Sequence, residues 1–213
     1  MSQKISLKEA ERKAFRTTFN DGLVDIFLGC FLLMFVIGLY LSDSLGDFWS
    51  SAVFLPFLAL VYLAIWLIRR YVVTPRVGMV KFGQARKAKL AKFTVVMLVI
   101  NVVALILGSV AALSFGSVPG QMISILFGLI LLMGFSIAAY FLDFNRLYIY
   151  GLLAGLSPLI GEWLWTHGYA THHGFPITFG TSSGIMILVG LAVFIRLLHN
   201  NPVPIEGIPS GEV

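Results

Sequence analysis

Apolar residues in this chain gather into long unbroken runs separated by short polar stretches. Six runs stand out, at 22–41, 51–68, 93–113, 122–141, 147–165 and 180–198. A helix needs about 18 residues or more of this character to cross ~30 Å of hydrocarbon. The sixth run reaches that length only when Gly180 to Ser183 join the apolar stretch that starts at Gly184. Backbone polar groups cannot stay unpaired in lipid, so runs of this length predict helices. Strands of a membrane barrel would be half as long and alternating. The expected fold is therefore all-α, an integral membrane bundle of six transmembrane helices.

The stretches between the runs carry turn formers. Residues 42–50 contain Asp43, Gly46 and Asp47, and residues 114–121 contain Pro119 and Gly120. Asp143 to Arg146 predicts a tight turn, and 166–179 a loop with Gly168, Gly174 and Pro176. Residues 1–21 are polar. Ser6 and Glu9 form a capping box there, opening either a helix on the membrane surface or a solvated lead-in to the first span. The three prolines of residues 200–213 predict a tail without fixed structure. No A-x-A cleavage site follows the polar lead. Phe27-Leu28-Gly29-Cys30 faintly matches a lipoprotein box, but Asp25 and the intact apolar run beyond it argue against lipidation.

Composition strengthens the membrane reading. Apolar residues make up 58% and charged residues 12%, against ~25% charged in soluble domains. The single cysteine, Cys30, excludes an intramolecular disulfide and a multi-thiolate metal site.

Charge then orients the chain. Of the fifteen Lys and Arg, five precede the first span and eight lie in the loop 69–92. The remaining two are Arg146, between the fourth and fifth spans, and Arg196, near the end of the sixth. With both termini cytoplasmic, every basic residue falls on or at the cytoplasmic side, as the positive-inside rule requires. The expected location is the cytoplasmic (plasma) membrane. The basic loop then needs no nucleic acid to explain it, and too few aromatics accompany it for stacking. Its Arg86, Lys87, Lys89 and Lys92 are candidate contacts for anionic lipid headgroups or for a membrane or cytoplasmic protein partner. Pro75 is expected to end the second helix, and residues 84–92 to form a helix running into the third span.

The stretches FNDGLVDIFLG, TPRVGMVKFG and FNRLYIYGLL are spread along the chain, at 19–29, 74–83 and 144–153. They resemble small multi-pass membrane proteins of prokaryotes that carry no assigned activity. The resemblance implies a multi-pass architecture and transfers no catalytic residue.

Ionisable and small residues inside the spans are the remaining candidates. Glu162 lies roughly 9 Å outward of the fifth span's centre, still within hydrocarbon. It shares a stripe with Gly151, Gly155 and Pro158, which should face the bundle. Glu162 and Asn101 are candidates for transport or a proton-linked role; a structural, hydrogen-bonded Glu162 is the plainer alternative. His167, His172 and His173 with Glu162 are a candidate metal set of irregular spacing, and a pH-sensing loop is another reading. Asp25 is a candidate ion pair with Arg196, or a helix-dipole acid near the start of its span. The pairs Gly151/Gly155 and Gly180/Gly184, and the stripe Asn101, Ala104, Gly108 and Ala111, are candidate packing surfaces. They predict the third, fifth and sixth helices close together. The sequence holds no H-E-x-x-H, G-x-S-x-G, Walker or dinucleotide pattern and implies no cofactor. The expected function is a non-enzymatic scaffold, regulatory or partner-subunit component of a membrane. The alternative is a small-solute, ion or metal transporter using Glu162 and the outer histidines.

Overall fold

The structure is a computed structural model, and residues 21–77, 84–113 and 119–202 are described. The predicted N-terminal helix of residues 1–20 and most of the C-terminal tail lie outside that set. Every regular element among the described residues is a helix, and six helices are long and apolar enough to span a membrane. They are α1 (Leu23–Leu45), α2 (Asp47–Ile68), α3 (Gln84–Leu113), α4 (Gly120–Leu142), α5 (Arg146–Thr166) and α6 (Phe175–Asn200).

Several boundaries differ from the sequence expectation. The stretch 42–50 is helical on both sides of Gly46, whose φ of 89° and ψ of 163° turn the chain within one residue. Both helices thus extend beyond their apolar runs. Pro75 does not end α2. A π turn (Arg69–Val73) and a further helical turn (Thr74–Val77) carry the spiral past it. Thr74 Oγ1 donates to the Arg69 carbonyl at 2.8 Å, satisfying an acceptor inside the widened turn. Pro176 sits in the first turn of α6, where its missing N–H costs nothing, so the sixth helix starts earlier than the apolar count suggests. The expected helical lead-in to the third span is present as the start of α3.

Four helices build the core. α1 packs along α6, α4 along α5, and α5 against α6. Their junction is aromatic: Phe35 of α1 stacks on Phe179 of α6 at 5.1 Å between centroids, and Phe127 of α4 approaches the same ring at 6.0 Å. Phe179, Met186, Ala154 and Leu32 are almost wholly buried there. α2 joins this core through α1, and α3 more loosely through α4. No residue is buried in the span segments 52–72 and 87–110.

This arrangement bears out the fifth and sixth helices as neighbours, but the third helix, expected beside them, lies against α4 instead. Gly151 and Gly155 do face the bundle, but their neighbour is α4. A Cβ on Gly155 would lie 3.0 Å from the Gly128 carbonyl oxygen, and one on Gly151 2.8 Å from Phe135 Cβ. Gly184 and Gly108 face open space, and Gly180 meets only Val36 at 3.8 Å. The tight contact on α6 comes instead from Gly190, where a Cβ would lie 2.7 Å from the Gly22 carbonyl oxygen. Spacing alone could not tell which small residues meet a neighbour, because that depends on how each helix is rotated.

Candidate functional site

Polar groups gather at both ends of the core. At the end holding the basic residues, the starts and finishes of α1 to α5 supply the partners of three ion pairs. Gly22 adopts a left-handed φ of 77° and leaves Asp21 buried beneath the first turn of α1. Asp21 Oδ1 accepts the Leu23 N–H at 3.0 Å, while its Oδ2 receives Arg69 Nε at 3.0 Å and Nη2 at 2.5 Å. That fork joins α1 to the π turn after α2. Lys89 of α3 reaches Asp143 at 3.2 Å and the Tyr140 carbonyl at 3.3 Å, which ties α3 to the end of α4. Lys89 therefore serves the fold, whereas Lys87 and Lys92 are exposed. The Arg86 side chain lies outside the described set.

Asp25 is fully buried one turn further in, and its partner is Arg146, not Arg196. Arg146 Nη1 stands 2.6 Å from Asp25 Oδ2, and its guanidinium lies 4.8 Å from the centroid of the Phe144 ring. Arg196 is exposed on α6. Both arginines sit at suitable depth, but Arg146 opens α5 facing α1, while Arg196 lies on the outward face of its helix. The Tyr150 hydroxyl neighbours the same carboxyl. Neither Asp25 oxygen nor this hydroxyl has an aligned hydrogen bond among the described residues, and the Arg146 charge is the nearest group answering the carboxyl.

At the opposite end, α5 aims Glu162 into the bundle, where it is 3% exposed. Gly120, the first residue of α4, lies directly against the Glu162 carboxylate. Glu162 Oε2 and His173 Nδ1 are 2.8 Å apart, and the Trp165 ring lies 4.2 Å from the His173 ring. His172 pairs instead with Asp43 at 3.2 Å, beyond Tyr40 of α1. His167 approaches the Trp163 carbonyl at 2.9 Å, and its ring lies tilted against the Trp163 ring at 4.6 Å. The three histidines thus point to three separate partners. No metal-binding group of three His, Cys, Asp or Glu is found among the described residues. The structure does not bring the three expected ligands together, because His172 and His173 diverge from adjacent backbone positions.

Those two histidines and Gly174 form an unusual turn. Their φ values are 51°, 53° and 63°, all left-handed. Such a conformation costs a non-glycine residue about 1–2 kcal/mol. The turn is held by close packing on α5, since the Gly161 carbonyl lies directly against Gly174. Only a glycine at each position permits that approach.

Between the two ends, hydroxyls are satisfied locally. Ser157 and Ser182 share a 2.9 Å hydrogen bond, Ser157 also donates to the Leu153 carbonyl at 2.8 Å, and Ser183 donates to the Gly29 carbonyl at 2.8 Å. Buried Phe179, Ala154 and Met186 fill the neighbouring core. Asn101 lies far from all of this, exposed on α3, with Nδ2 bonded to the Met97 carbonyl at 2.8 Å.

Sequence reasoning missed Asp21, Arg69, Arg146 and Asp143 as partners. The available signal was an acid and a base at the same end of each neighbouring helix pair.

No protein-family model, curated protein or solved structure matches the chain.

Proposed function

We propose that the chain crosses the cytoplasmic membrane six times, with both termini inside, and acts as a non-enzymatic scaffold or partner subunit that lends α2 and α3 to other membrane proteins. One observation carries this reading: two of the six spanning helices have no buried residue across 52–72 and 87–110. They hang on a core whose buried acids already face cations or a histidine. α3 moreover turns Asn101 outward, with one amide N–H on the Met97 carbonyl, and the rest of an amide facing hydrocarbon is costly unless another helix covers it. The outward Thr94 and Ser109 hydroxyls are bonded to the Leu90 and Leu105 carbonyls of their own helix. The orientation rests on the confinement of the basic residues to one end.

A photo-reactive residue in place of Leu60, 68% exposed on α2, tests the reading in growing cells. The expected product is a set of discrete protein adducts. Lipid adducts alone contradict it. The transport alternative draws on Glu162, buried beside His173 with α4 beginning against it. Flux in proteoliposomes that disappears in Glu162→Gln would replace the scaffold reading.

A further inference from the structure

We infer that α3 is a self-association helix, and that a second copy of this chain packs against its Thr94, Leu98, Asn101, Leu105 and Gly108. These five residues are all exposed. They follow one another at intervals of 4, 3, 4 and 3, the repeat that keeps a seam facing a partner helix through a left-handed crossing. The seam covers about 21 Å of helix, most of a hydrocarbon core.

Asn101 identifies the occupant. It lies within about 4 Å of the middle of the span along the helix axis. Its amide spends one N–H on the Met97 carbonyl. No donor among the described residues reaches its Oδ1. Lipid tails can satisfy neither the second N–H nor the oxygen. An amide is donor and acceptor at once, so it is complementary to another copy of itself. Two copies inserted the same way are related by a two-fold axis along the membrane normal. That axis sets their α3 helices parallel and brings Asn101 to the same depth in each, an isologous contact. A Cβ on Gly108 would meet nothing within 4 Å in its own chain, so a neighbouring backbone can approach closely there. Leu98 and Leu105 are 63% and 71% exposed and supply the apolar knobs between.

The inference deepens the scaffold reading by naming one occupant, and rests on it in taking protein, not lipid, to cover α3. Single cysteines in a Cys30→Ser background of the full chain test it in native membranes. Leu98→Cys and Leu105→Cys are expected to give disulfide-linked dimers on mild oxidation. Val99→Cys and Val103→Cys, exposed on another face, give several-fold less. Adding Asn101→Leu lowers the seam crosslink about three- to tenfold, while Asn101→Gln retains most of it. Seam positions that crosslink no better than Val99→Cys and Val103→Cys overturn the inference, as does a seam crosslink indifferent to Asn101→Leu. If Leu60 still captures protein partners in that case, the scaffold reading survives without the dimer. A Glu162-dependent flux alongside seam crosslinks removes the scaffold reading and leaves the dimer standing.

Discussion

Asp25 has no access to solvent, and the charge that answers it stands 2.6 Å away on another helix. A buried pair of this kind adds little against an apolar replacement, yet losing one member strands the other. Arg146→Met should therefore destabilise the protein by roughly 3–5 kcal/mol, and Asp25→Asn added to it should restore more than half of that loss. Thermal unfolding in detergent, followed by tryptophan fluorescence, measures both; equal stability of Arg146→Met and the parent would contradict the pairing. The two left-handed histidines separate in the same way. His172→Gly relieves the backbone and gives up only a partly exposed contact with Asp43, so stability should hold or rise by about 1 kcal/mol. His173→Gly also removes the partner of buried Glu162, and should lower stability despite the same relief. A melting curve for each variant decides the matter, and identical shifts would count against it. At this scale the sequence marked the right acids, since Asp25 and Glu162 both prove buried. It did not reveal their partners, because depth in a membrane restricts a residue to a layer and many residues share each layer.

The helices differ in how their small residues are used. Gly190 and Gly155 meet carbonyl oxygens of a neighbouring helix, whereas Gly184 meets nothing within 4 Å. Gly190→Ala and Gly155→Ala should each cost about 1–3 kcal/mol through overpacking, while Gly184→Ala should be neutral in the same melts. A large loss in Gly184→Ala would show that α6 is turned differently. Lengths and order of the helices were legible from the apolar runs, because hydrocarbon thickness fixes how many residues a span needs. Their ends were less so. Polar Ser42, Asp43 and Ser44 continue α1 as helix once nucleation is complete, and a π turn lets α2 run through Pro75. Neighbour relations were the least legible. The fifth helix's stripe was read correctly as inward-facing, but α4 covers its glycines, and α3 lies at the periphery.

Across the molecule, three ion pairs fasten helix ends at the basic end, joining α1 to the π turn, α1 to α5, and α3 to α4. Two histidine–acid pairs fasten the other end. The core is thus cross-linked at both rims, with aromatic packing between, while α2 and α3 bury no residue across 52–72 and 87–110. A scaffold needs such a division between a fixed core and helices free to take partners. All of it presumes six crossings with the cationic rim inside. Cysteines introduced at Lys87 and at Gly168 in a Cys30→Ser background test that premise most directly, using a membrane-impermeant maleimide on intact cells. Gly168→Cys should be labelled at once, and Lys87→Cys only after the membrane is opened. Labelling of Lys87→Cys in sealed cells would contradict the topology and everything drawn from it.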